Sequence, residues 1–125
     1  MPSITIPTGR DISIEVEGKR LAVVQSCSVK TERETRSIEA FGSEAPVATV
    51  GGKLTHTLEL KKVIPTQEAG AVDFYSLRDF TTVIVKPDCR IVYSGCEWSS
   101  IGEALGVNTP CIETIQAVAK KRMVL

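Results

Sequence analysis

Apolar and polar residues alternate along much of this chain, and a period of two belongs to strands with one buried face. Ile12, Ile14 and Val16 alternate with Ser13, Glu15 and Glu17. Glu17-Gly18-Lys19 supplies a turn, since glycine takes a positive φ without penalty. The chain then returns through Arg20–Thr31, rich in Val and Ser, so this region reads as a hairpin with a long second arm. The mixed-charge run Lys30–Arg36 continues that arm as a solvated or subunit-facing strand. Leu54–Val63 is the clearest strand, with Leu54, His56, Leu58 and Leu60 on one face and Thr55, Thr57, Glu59 and Lys61 on the other. Thr81–Lys86 and Arg90–Glu97 form a second hairpin around Pro87-Asp88-Cys89, where proline presets φ for a turn.

Three segments break the alternation. Ser37–Lys53 contains Phe41-Gly42-Ser43, Pro46 and Gly51-Gly52, and its Val47, Ala48 and Val50 have no clean period. It reads as a long loop, too apolar for a solvated one, which implies a cover. Ala69–Phe80 is the best helix candidate: Thr66-Gln67-Glu68 gives it a polar, acidic start, and Phe74, Leu77 and Phe80 form an apolar stripe. Ile101–Pro110 reads as a connection. Cys111–Leu125 fits either period: its β-branched residues favour strand early and Ala-Lys-Lys-Arg favours helix late. The strand is preferred, because an all-β framework needs an edge partner there. The expected fold is mainly β with one short helix near residues 69–80.

Length and charge narrow the classes. At 125 residues the chain suits one domain, residues 1–125, with a core that needs no staples. Fifteen Lys+Arg balance fifteen Asp+Glu, which argues against a phosphate-neutralising nucleic-acid surface. No signal peptide is visible and no apolar run approaches a membrane span, so cytosolic synthesis and no membrane insertion are expected.

Candidate chemistry is sparse. The single histidine, His56, lies inside a strand and has no nucleophile motif near it in sequence; a hydrogen-bonded strand histidine is the simpler account. Cys27, Cys89, Cys96 and Cys111 lack the close pairs of a zinc site and read as small apolar residues. Glu15/Glu17 and Glu32/Glu34 share strand faces and more readily line a wet surface than a catalytic cleft. Gly51-Gly52-Lys53 is not a P-loop, and no calcium loop is present. Lys61-Lys62 and Lys120-Lys121-Arg122 read as solvated or salt-bridged groups. No catalytic residue, cofactor or metal is assigned. The surfaces suit contacts between copies, since a mixed-charge arm pairs with its complement on a neighbour.

The element order resembles tail-tube proteins of contractile phage tails and defective-prophage particles. The resemblance is carried by Ile12-Ser-Ile-Glu-Val-Glu-Gly18, the arm Leu21–Glu34, Arg36-Ser-Ile-Glu-Ala-Phe-Gly42, Gly51-Gly-Lys-Leu54 with its strand to Lys62, the helix near Phe74–Phe80, and the strand pair after it. It implies a β-sandwich or split-barrel fold with a short flanking helix, and six copies closing into rings that stack into a hollow tube inside a sheath. On this basis Leu21–Glu34 and Leu54–Lys62 line the lumen, and Ser37–Lys53 reaches an adjacent ring. Glu32, Arg33, Glu34 and Arg36 make inter-subunit ion pairs; Glu39, Phe41, Gly42, Glu44, Pro46, Val47 and Val50 belong to the contacting loop. The implied partners are further copies of the chain, with sheath, baseplate and tail-terminator proteins. DNA passes without sequence-specific binding, and the expected location is a virion assembled in the host cytoplasm. The same fold serves the inner tubes of phage-derived injection systems and bacteriocins. A small β-barrel ligand-binding module with Trp98 and Tyr93 in its cleft, and a hydrolase using His56, are the readings from other classes.

Overall fold

A computed structural model describes residues 6–64 and 72–125. Eight strands dominate them: β1 Ser13–Val16, β2 Lys19–Arg20, β3 Val24–Ile38, β4 Ala48–Val63, β5 Phe80–Val85, β6 Arg90–Ala104, β7 Ile112–Ala119 and β8 Lys121–Val124. All pairings are antiparallel, in the order β2-β1-β5-β6-β7-β4-β3, with β8 also on β6.

The path folds over at β6. Residues 80–85 and 121–124 flank the first half of β6, whereas β7 pairs with Glu97–Ala104. The change of partner is built from two complementary breaks. Gly95 sits at φ +65, and opposite it Lys120 separates β7 from β8, its amide donating to the Ser94 carbonyl at 3.1 Å. Glycine is favoured there by the left-handed φ and because a Cβ would stand 3.0 Å from the Lys120 side chain. Two layers result, and the alternating faces of β1, β4, β5, β6 and β7 meet between them. Phe80, Val16 and Cys96 are the most completely enclosed side chains.

The period-two strands appear where the sequence places them. β4 buries His56, Leu58, Leu60 and Lys62; β7 buries Glu113, Ile115, Ala117 and Ala119, which bears out strand over helix for the segment after Cys111. Glu17 and Gly18 both have positive φ and close β1 onto β2 as a two-residue turn.

Four boundaries change. The return arm does not pair with β1 along its length: β2 is two residues long, Val23 turns the chain at φ +54, and β3 then pairs with β4. The helix expected over 69–80 is absent from its described part. A 3-10 turn at Phe74–Ser76 stands there, capped by the Asp73 carboxylate accepting from the Tyr75 amide at 3.2 Å; residues 69–71 lie outside the described residues. Asp79 has φ +46, which no helix tolerates, and Phe80 is already in the β5 ladder opposite Cys96. Phe74 and Phe80 still pack together, edge to face at 6.2 Å. The supposed loop Ser37–Lys53 shrinks to residues 39–47, because β3 runs to Ile38 and β4 begins at Ala48. The connection after β6 likewise begins only beyond Ala104.

Candidate assembly surface

The outer halves of β3 and β4 form an arm without a core. Every residue from 30 to 55 is exposed. The ladder nonetheless continues through Thr35 opposite Gly51, Arg36 opposite Val50, and Ile38 opposite Ala48. A shift in register between Arg33 and Thr35 places an extra residue on β4 at the Gly51-Gly52 pair. Close packing favours glycine at Gly52, where the Glu34 carbonyl lies 3.1 Å from where a Cβ would stand; at Gly51 the nearest group is the exposed, movable Arg33 guanidinium at 3.1 Å.

The arm leaves backbone unpaired on both sides. Among the described residues, β3 has a partner on one edge alone, and β7 stops at Ala119 opposite His56, so β4 from Ala48 to Thr55 is bonded there only to β3. Open edges of this length are templates for another strand. Apolar side chains stand on it as well: Ile38, Phe41, Val47, Val50 and Leu54 are all exposed, Phe41 completely so at 110%. At the opposite end of the same sheet, the connection between β6 and β7 carries exposed Leu105 and Val107.

The residues proposed for contact all fall on this arm. Glu32, Arg33, Glu34 and Arg36 lie on β3; Glu39, Phe41, Gly42, Glu44, Pro46 and Val47 lie in the connection; Val50 lies on β4 rather than in a loop. Gly42 takes φ +77 at the turn. Glu32 is paired within the chain, to Lys30 at 2.8 Å on the same strand. That hydrogen bond, and then the Lys30 charge, hold the Glu32 carboxyl below its ordinary value. Among the described residues, no ion pair engages Arg33, Glu34, Arg36, Glu39 or Glu44.

A cleft of about 600 Å³ opens at the root of the arm, where the two layers part. Val29, Thr31, Leu54 and His56 line one wall; Tyr93, Lys120, Lys121 and Arg122 line the other. His56 is buried, its Nδ1 2.9 Å from the Thr31 hydroxyl and its ring edge to face with Tyr93 at 5.9 Å. Arg122 Nε donates to the Tyr93 hydroxyl at 3.4 Å. The basic run is solvent-exposed, in keeping with the sequence reading, and also lines one wall of this cleft. Trp98 lies elsewhere, against Tyr75, so the aromatic cleft imagined for a ligand-binding module does not form from Trp98 and Tyr93.

The outward face of the β3-β4-β7 layer is small and polar. Ser28 stands opposite Glu59, Ser26 opposite Lys61, and Lys30 opposite Thr57. Ser100, Gln116 and Glu59 form a hydrogen-bonded row across it, at 3.2 and 3.4 Å.

Of Lys61-Lys62, expected to be solvated or salt-bridged, Lys62 forms an ion pair whose burial and partner that expectation did not supply. Lys62 and Glu113 meet at 3.6 Å, nearly enclosed, with the ammonium 5.2 Å from the centre of the Phe74 ring. The signal was present, for both residues continue the buried stripes of their strands. All four cysteines are free thiols; burial pushes those of Cys27 and Cys96 above their ordinary value.

No family model and no curated protein sequence matches the chain. Solved structures do match in three dimensions. The sheath/tube terminator of an extracellular contractile injection system superposes with a TM-score of 0.74 at 11% identity, covering 98% of each chain. A protein of a gene transfer agent virion gives 0.74 at 12% identity over 96% of this chain and 99% of its own. The SPP1 tail tube gives 0.74 at 9% identity over 94% of this chain and 77% of its own. With its bent antiparallel sheet and projecting β3–β4 arm, the chain has the fold of the tail-tube and tube-terminator proteins.

Proposed function

We propose that this chain is a structural subunit of a phage-type tail tube, with six copies closing into a ring and rings stacking into a hollow conduit for DNA. The observation that carries the reading is the arm: two long strands, exposed on both faces and open on both edges, with a bare phenylalanine at the tip. A monomer gains nothing from such an element, whereas strand edges of neighbouring copies satisfy one another. Exposed apolar tips at opposite ends of one sheet, Phe41 at one and Leu105 and Val107 at the other, suit head-to-tail stacking. The Ser- and Thr-rich outward face suits a lumen wall. Its charges are of both signs, with Glu59 beside Lys61 and Lys30, so a phosphate backbone finds no continuous basic track. Sheath, baseplate and terminator proteins are the expected partners, a virion tail or a related injection particle is the expected location, and no reaction is assigned.

The match to tube terminators supports a second reading, in which a single ring of this chain caps a tube made by another protein. Negative-stain microscopy of the purified chain at high concentration, across salt, separates them: tubes support the first, isolated rings the second. Monomers under every condition overturn both. A variant joining Ile38 to Ala48 through Asn-Gly removes residues 39–47 and keeps a two-residue hairpin turn. It should stay folded by circular dichroism and lose stacking; tubes from this variant refute the role given to the connection.

A further inference from the structure

Charge and shape divide unequally between the tip of the arm and its root. The connection Glu39–Val47 holds two carboxylates, Glu39 and Glu44, no basic residue, and the exposed Phe41. The cleft at the root holds three consecutive cations, Lys120 to Arg122, above an apolar floor that includes the half-exposed Leu54. None of those cations has an ion-pair partner among the described residues. The tip is acidic and apolar, and the cleft is basic and apolar.

A chain cannot satisfy this complementarity by itself. Leu54 and Ala48 are six residues apart on one continuous strand, so the tip stands about 20 Å beyond its own cleft at roughly 3.3 Å per residue. While the arm is paired, its β3 partner holds that strand extended, clear of its own cleft.

We propose that the connection Glu39–Val47 of one copy seats in the Lys120–Arg122 cleft of another. Phe41 covers the apolar floor, and the two carboxylates face the cations. The proposal rests on the assembly reading above and names the receiving site for it. A reciprocal exchange closes a pair; a one-way exchange propagates, as a tube requires. Rim charges of opposite sign fix which surfaces meet and make association fall with salt.

Charge reversal tests it on the full chain. Glu39→Lys/Glu44→Lys reverses the tip, and Lys120→Glu/Lys121→Glu reverses the cleft; all four residues are exposed, so each variant folds, which circular dichroism verifies. Sedimentation measures the concentration at which assembly begins. Each reversal should raise it by about tenfold or more, and the quadruple variant should return it to the parental value. Either reversal assembling at the parental threshold overturns the proposal, as does a quadruple variant that fails to recover. Tubes indifferent to both reversals refute the docking and leave the tube reading standing. A parental pair that is sensitive to reversal and never grows keeps the docking and refutes the tube. A parent monomeric at every concentration refutes both.

Discussion

Under the proposed assembly, a substitution at Phe41 should separate assembly from folding. Its side chain is fully exposed and touches no core residue, so Phe41→Ala should change folding stability by no more than about 0.5 kcal/mol. For a chain of this length that is a shift in Tm of about 3 °C or less. Burial against a neighbour is worth more. Enclosing a phenylalanine side chain contributes about 1.5–3 kcal/mol, and each 1.4 kcal/mol is about tenfold in a dissociation constant. The assembly threshold of Phe41→Ala should therefore rise about tenfold to a hundredfold. Sedimentation velocity over a concentration series reads the threshold, and thermal unfolding of the dilute subunit reads the fold. Phe80→Ala is the contrasting control: that ring is 1% exposed, and its removal should cost about 3–5 kcal/mol and impair both measurements. An unchanged threshold in Phe41→Ala refutes the reasoning. So does a large fall in its Tm, which would mean that the tip packs on its own subunit.

Lys62→Met should destabilise by about 3 kcal/mol in urea unfolding, because it leaves the Glu113 carboxylate buried without its cation, whereas Lys62→Met/Glu113→Leu should unfold close to the parent. Gly95→Ala should cost about 1–2 kcal/mol for the left-handed backbone, and more than Gly18→Ala, since a Cβ at Gly18 meets nothing within 4 Å; equal costs would deny the crowding by Lys120. Lys30→Ala should raise the Glu32 pKa toward its ordinary value in a carboxylate NMR titration. Since the folded-state value is depressed, the Lys30–Glu32 pair contributes above the ordinary glutamate range and stops contributing as pH falls through the lowered value.

How much of this was legible in the sequence follows from where burial is one-sided. β4 from His56 onward and β7 each have one face on the core, so their residues alternate and their strands were readable. The arm beyond Leu54 has no buried face. Nothing there forces a period, and two strands with Gly51-Gly52 at their register shift looked like a loop. The false helix has a different origin. Phe74, Leu77 and Phe80 are spaced by three, which suits a helix but also a single 3-10 turn running into a strand, and the positive φ of Asp79 that decides between them has no strong signal in the residue type. The charged residues of β3 proposed for contact are visible as a local run in the sequence. The cleft is not, since it joins Val29, Thr31, Leu54, His56, Tyr93 and Lys120–Arg122, which are far apart in the sequence and meet only in the folded sheet.

The coreless arm also bears on how growth begins. A two-stranded hairpin with no packed face is marginal in water, so the part beyond Leu54 opens and closes locally while the rest of the subunit stays shut. Its amides should exchange with solvent faster than those of Leu58, Leu60 and Ile115. A neighbour that captures the arm must first order it, and this entropy is lost again at every addition. The first few copies meet that cost with the fewest contacts; a copy arriving on a completed end meets it with the most. Under the proposed assembly, initiation is then slow and elongation fast, with a lag and a sharp threshold. In such an assembly, the segment that gives the subunit its reach would also keep dilute subunits apart until a template is present.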